Sequence, residues 1–293
     1  MPDGRPFPAL TGVNGMNVMQ MARLSHEAIK PKIGSRVRNS KAELLSGELS
    51  AQINELLEQR GVLVFKQVHF TDAEQIAFTN ALGGNVVEIG NNEVFKISLD
   101  QAVNKEVVEY LKGSLFWHVD GTMNKVPVRG SVLSSKVLPT WGGNTEFVNT
   151  YAAYDDLPEE TKAKIDGLRV VHSMWHSQLF HCPEPTLKQL ENWQAKGQHE
   201  LPLVWHHKSG RKSLVLGNTA EYVVGTDTME SARMLHGLRE FATSAPYHYA
   251  HEWEVGDAVM WDNTGSLHRA MPYDPDCGRL LHRTILLGEE SPD

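Results

Sequence analysis

Cysteine is almost absent: Cys182 and Cys277 are the only two in 293 residues. That excludes a disulfide framework, and their separation fits no CxxC metal or redox motif, so a reducing compartment is the simplest setting. Positive charge is also short. Lys and Arg total 28 against 36 Asp and Glu, a net charge of −8, which argues against a nucleic-acid partner and offers no basic patch to lipid headgroups. No apolar run approaches the ~18 residues of a membrane span. The opening Met1-Pro2-Asp3-Gly4-Arg5-Pro6-Phe7-Pro8 lacks the apolar core of a secretory signal. No repeat or low-complexity tract is present. These absences predict a soluble, cytoplasmic protein with no nucleic-acid or membrane partner, acting on a small molecule.

What is present suffices for one large core, with 41% of residues apolar. Residues 1–35, rich in Pro, Gly, Asn and Met without a sustained period, read as an irregular N-terminal arm, and 36–293 as a single domain. From Lys41 to Arg60, Leu44, Leu45, Leu49, Ile53, Leu56 and Leu57 recur at helical spacing, with Gly61 as the stop. Val62–Phe65 reads as a buried strand, and Thr71-Asp72-Ala73-Glu74 as a capping box opening a helix that ends at Gly83-Gly84. Short strand-like runs follow at Val132–Val137, Val170–His172, Leu201–Trp205, Leu214–Leu216 and Ala258–Trp261, separated by Gly, Pro, Asn or Asp turns. Helical insertions interrupt them at 158–165 and 228–241. The pattern predicts an α+β chain, mainly β in its core, closed as a jelly roll or sandwich with flanking helices.

The chemistry concentrates in His118-Val119-Asp120. In a strand, side chains two apart share a face, so His118 and Asp120 can grip one ion. His268 supplies a third donor from far downstream, and Arg279 follows it by eleven residues. Two imidazoles and one carboxylate leave cis positions open on a ferrous ion, where a keto-acid cosubstrate and dioxygen bind. A 2-oxoglutarate chelated through its C1 carboxylate and keto oxygen leaves its C5 carboxylate for Arg279, whose planar fork matches it. The remaining histidines, His172, His176, His181, His206, His207, His248, His251 and His282, suggest no second metal site. Trp117 and Trp261 flank the ligand segments as packing that excludes water. Asp262-Asn263 stands where it either stabilises a turn or hydrogen-bonds a ligand histidine.

Trp261-Asp262-Asn263, then His268-Arg269-Ala270, then Arg279 resembles the C-terminal signature of the TauD/TfdA dioxygenases, named for taurine dioxygenase and 2,4-dichlorophenoxyacetate dioxygenase. Gly142-Gly143-Asn144-Thr145 resembles that family's Gly-Gly-Asp-Thr turn, at the expected distance from His118, and the likeness runs from about Gly61 to Gly288. It implies a double-stranded β-helix and an iron(II)- and 2-oxoglutarate-dependent dioxygenase that hydroxylates a C–H bond, releasing succinate and carbon dioxide. His118, Asp120 and His268 would ligate iron, while Thr145 and Arg279 would bind 2-oxoglutarate. Arg283 takes the family's position for a carboxylate- or sulfonate-binding arginine, and homo-oligomers are common among members. Trp117-His118-x-Asp120, Ala152–Asp155, His172-Ser173 and Ser213-Leu214-x-x-Gly217 look most like the aryloxyalkanoate dioxygenases. Trp175, in the middle segment, and Val86, after the second helix, are the candidate walls for an apolar or aromatic substrate body. Three alternatives stay open: tailoring by desaturation or cyclisation at the same iron, a cupin-like metal isomerase or hydrolase without 2-oxoglutarate, and a silent binding module.

Overall fold

The computed structural model describes residues 22–83, 94–105 and 107–292. Among them, fifteen strands form. They are β1 (His26–Ala28), β2 (Ser35–Val37), β3 (Val62–Phe65), β4 (Phe95–Ile97), β5 (Gly130–Val137), β6 (Thr145–Asn149), β7 (Arg169–Ser173) and β8 (Gln198–Pro202). The rest are β9 (Val204–His206), β10 (Lys212–Leu214), β11 (Ala220–Val223), β12 (His248–His251), β13 (Ala258–Asp262), β14 (Ser266–Ala270) and β15 (Leu280–Leu286). A seven-stranded sheet runs β1-β2-β3-β13-β5-β15-β4, and a three-stranded sheet β12-β6-β14 faces it. Strands β11-β7-β8 and the β10-β9 pair extend the molecule beyond the facing sheets. This is the jelly roll expected from the strand pattern.

Alternation along the strands assigns the two faces of the large sheet. Val62 and Val64 of β3, Leu133 of β5, Val259 and Trp261 of β13 and Leu281 of β15 point inward and pack with Phe147 of the small sheet. Their neighbours Leu63, Phe65, Val132, Ala258, Met260 and Leu286 point outward, against helices α1 (Lys41–Leu45), α2 (Ser50–Arg60) and α3 (Asp72–Ala81) through Leu44, Ile53, Leu56, Leu57 and Phe78. Each such buried side chain contributes roughly 1.5–3 kcal/mol. With one face of the large sheet held by helices, the other is free to carry polar groups between the sheets. The site lies there.

Several boundaries differ from the sequence expectation, and the strand read at Leu214–Leu216 lies instead at Lys212–Leu214, because the Val215 N–H turns away to the Leu203 carbonyl. The 41–60 helix is two, because Gly47 adopts φ 79° and Ser46 closes the first turn onto Ala42 and Glu43 carbonyls. The arm is not irregular throughout: β1 and β2 join the large sheet, β2 running parallel to β3. The 201–205 run divides at Leu203, whose N–H turns to the Leu168 carbonyl, so β8 pairs with β7 and β9 with β10. The capping box at Thr71 and Glu74 forms as read. No helix among the described residues is long and apolar enough to cross a membrane.

One buried polar network fixes α3 to the sheet. Gln75, fully buried, donates to the Val132 and His282 carbonyls at 3.0 Å each and accepts from the Ser134 hydroxyl at 2.6 Å. Gln75→Ala would leave these groups unpaired in the dry interior. We expect it to cost about 2–4 kcal/mol, read as a lower urea midpoint with an unchanged m value.

Candidate metal centre and cosubstrate pocket

His118 belongs to no ladder, yet it makes one antiparallel bridge to His268. Each residue's N–H donates to the other's carbonyl, at 3.1 and 3.0 Å. Side chains of such a pair leave on the same side, and the two rings stand 4.1 Å apart. Asp120, two residues on, brings Oδ1 to 3.8 Å from His118 Nε2 and Oδ2 to 3.5 Å from His268 Nε2. One donor atom from each residue lies within 4.8 Å of the others. Among the described residues no other His, Cys, Asp and Glu group converges in this way.

Neighbouring residues hold this geometry. His118 Nδ1 lies 2.8 Å from the Phe116 carbonyl, which requires a proton on Nδ1 and leaves the Nε2 lone pair toward Asp120. Gly217 presses its backbone on the same segment: at φ +122°, a Cβ there would sit 3.1 Å from His118 Cα. The next residue, Asn218, donates its N–H to the Trp117 carbonyl at 2.7 Å. His268 is enclosed by Trp261, 4.7 Å away between ring centres, and by Phe147. Trp261, itself buried, covers one side of that imidazole. Trp117 instead lies under the Arg269 guanidinium at 4.4 Å and edge-on to His248.

Electrostatics keep His118 and Asp120 in their binding forms. Burial, followed by the adjacent His268, pushes the His118 imidazole down to about 3, so it is neutral at pH 7. Burial alone would raise the Asp120 carboxyl, but the Arg283 guanidinium and both imidazoles hold it well below the usual range. A divalent ion with ligands at about 2.0–2.2 Å places cis donors about 3 Å apart. The two carboxylate-to-imidazole spacings need only slight closure, and a set of two imidazoles and one carboxylate suits iron(II). The donor set fits the ion.

A second polar locus lies between the same sheets. Arg279, 1% exposed, donates Nη2–H to the Gly143 carbonyl at 2.9 Å and lies over Tyr273 at 4.5 Å. Its Nε is buried without a partner, and among the described residues no carboxylate pairs with it. Gly143 makes the room, since a Cβ there would stand 3.0 Å from that Nε. Thr145 is buried on β6, in the register that pairs it with Ala270 and Phe147 with His268. Its side chain therefore shares the face of the ligand histidine. Trp253 donates to its hydroxyl oxygen at 3.0 Å, so the hydroxyl proton is available to an anion. Nothing in sequence spacing pointed to Trp253.

The remaining candidates fall in different places. Arg283 sits at the centre, its Nη1 donating to Asp120 Oδ2 at 3.1 Å, with Nε buried and unpaired. Trp175 is half-buried at the start of helix Met174–Leu179 with its ring against His176. The aromatic pair reaching the metal-bearing segment is Phe116 with Phe180, 5.3 Å apart. Val86 lies outside the described residues. Asp262 accepts from the Thr264 N–H and hydroxyl, a turn role, while Asn263 turns to Asp120. Neither bonds a ligand histidine.

A family model described as taurine catabolism dioxygenase TauD, TfdA family, matches residues 25–285. The chain is 34% identical over 241 residues to the (S)-phenoxypropionate/alpha-ketoglutarate-dioxygenase of Sphingobium herbicidovorans, covering 79% of this chain and 84% of the relative. It is 34% identical over 270 residues to the alpha-ketoglutarate-dependent 2,4-dichlorophenoxyacetate dioxygenase of Burkholderia sp. (strain RASC), covering 83% and 89%. Among solved structures, AAD-2 in complex with Mn(II) and N-oxalylglycine matches with a TM-score of 0.79 at 28% identity, covering 93% of this chain and 100% of that one.

His172 offers a pH test away from the metal. It is fully buried, and burial followed by His199 and His176 lowers it to about 3 against 6.5 when free. The unfolded chain therefore binds a proton that the folded chain refuses between these values. Its stabilising effect is complete above about pH 6.5 and is lost as pH falls toward 3, at up to about 1.4 kcal/mol per pH unit. Urea midpoints of metal-free protein should fall with acidification across that window, and less steeply in His172→Asn. Equal slopes would contradict the assignment.

Proposed function

The chain belongs to the TauD/TfdA family and is an iron(II)- and 2-oxoglutarate-dependent dioxygenase, and we propose that it hydroxylates a C–H bond of a small organic acid with an apolar or aromatic body. In this reading His118, Asp120 and His268 hold the iron, and Arg279 with Thr145 holds the distal carboxylate of 2-oxoglutarate. Iron, 2-oxoglutarate and dioxygen together supply the oxidising chemistry, with succinate and carbon dioxide as co-products. The protein orients the reactants and keeps water out. Arg279 carries the reading. A guanidinium buried without a carboxylate is costly, and an anionic cosubstrate relieves that cost at this position.

Arg283 is the residue we assign to the substrate's acidic group, on the strength of its unpaired Nε and its place beside Asp120. The Phe116–Phe180 pair and Trp175 form the aromatic surface assigned to the substrate body. The phenoxypropionate and 2,4-dichlorophenoxyacetate activities named for the two relatives support an aryloxyalkanoate, where hydroxylation next to the ether oxygen would release the phenol. A metal isomerase or hydrolase on the same three ligands would have no use for Arg279 or Thr145. Two free cysteines and no membrane-spanning helix among the described residues support a cytoplasmic setting for the enzyme.

Two measurements test this. Across a panel of acids with iron and 2-oxoglutarate, aryloxyalkanoates should stimulate oxygen uptake and succinate release well above small aliphatic sulfonates and sulfate esters. The reverse order would discard the substrate assignment. Arg279→Lys keeps the charge but loses the two-pronged contact, worth about 1.5–3 kcal/mol. It should raise the half-saturating 2-oxoglutarate concentration roughly ten-fold or more, and an unchanged value would remove Arg279 from the pocket.

A further inference from the structure

Asp120 has a second attachment, made by its backbone. Asn263, with no exposed surface, follows β13 at the end of the large sheet. Its Oδ1 accepts the Asp120 N–H at 2.9 Å, and its Nδ2 donates to the Asp120 carbonyl at 2.8 Å and to the Val128 carbonyl at 2.9 Å. Its own N–H donates to the Arg129 carbonyl at 3.0 Å. One primary amide therefore spends both donors and its acceptor on the two ends of the 121–127 segment. That segment turns at Gly121, with φ 76°, and has an internal bond from Asn124 N–H to the Gly121 carbonyl.

We infer that Asn263 is a positioning residue for the metal centre, fixing the peptide on both sides of the Asp120 Cα so that its carboxylate leaves the chain toward His268. The inference rests on the metal reading given above. His118 is anchored by its bridge to β14, but no strand ladder reaches Asp120. Without the amide, Asp120 would keep only its side-chain bond from Arg283, with its peptide unfixed at the start of a turn, and its carboxylate would meet the ion only part of the time. Supporting hydrogen bonds around metal ligands are typically worth 10–100-fold in affinity. The fully paired amide also explains why asparagine suits this position: aspartate lacks the donors.

Cobalt(II) alone is the probe, titrated anaerobically into metal-free protein and followed by its visible spectrum. Asn263→Ala should lose about ten-fold or more in cobalt affinity and change the band pattern. Asn149→Ala serves as the control, because Asn149 is an equally buried amide whose side chain caps helix Thr150–Asp155 and donates to the Lys32 carbonyl, so that although its backbone pairs with Ser266 of the His268 strand its amide bonds none of the three donor residues. It should lower the melting temperature comparably yet leave cobalt affinity within about two-fold. Wild-type affinity and spectrum in Asn263→Ala would overturn the inference, as would equal affinity losses in the two variants. Should Asn263→Ala not fold, hydrogen exchange on the wild type decides: the Asp120 amide should exchange as slowly as sheet amides, and exchange at an open-turn rate would refute the clamp. Wild-type protein that fails to bind cobalt would strike the metal reading itself, while the exchange result would still test the clamp.

Discussion

Two hydrogen bonds between the backbones of His118 and His268 underlie the candidate site. They bring a loop segment against β14 and, by the parity of an antiparallel pair, send both imidazoles to the same side. The carboxylate follows from its i+2 position. A displacement of either segment by one residue would send one imidazole to the opposite face of the sheet. Gly217 matters for the same reason, since any side chain there would push the His118 segment away from its partner.

The second constraint is charge. The space between the sheets is apolar along Val62, Val64, Val259 and Leu281, yet it also contains Arg279, Arg283 and Asp120. Arg283 and Asp120 pair with each other, whereas Arg279 has no carboxylate beside it among the described residues. The same low-dielectric surroundings that make the unpaired guanidinium expensive make its interaction with a bound carboxylate strong. The Gly143 carbonyl and the Tyr273 ring hold this guanidinium in place.

Much of the fold was legible because its signals are local. Val62–Phe65, the Thr71 capping box and the Thr228 helix begin where their residues announce them. What could not be read was decided by distant partners. β1 and β2 carry little apolar pattern, and they are strands because β3 offers a free edge. Helix Leu187–Gln194 buries none of its residues, so it owes its form to its Thr186 capping box more than to a core-facing stripe.

At the site the division follows the same physics. That His118, Asp120 and His268 would converge could be read from residue type and spacing, because metal binding demands particular donors, while Thr145 and Arg279 could be named with the help of the family resemblance. Which residues support them could not. Trp253 on Thr145, Asn263 on the Asp120 peptide and Arg283 on the Asp120 carboxylate are contacts between segments far apart in the chain. An amide or an indole fits many environments, so its identity alone does not say what it will touch. Only the packing of the two sheets chose those partners, since a hydrogen bond forms where geometry brings donor and acceptor within about 3 Å and excludes the water that would otherwise compete.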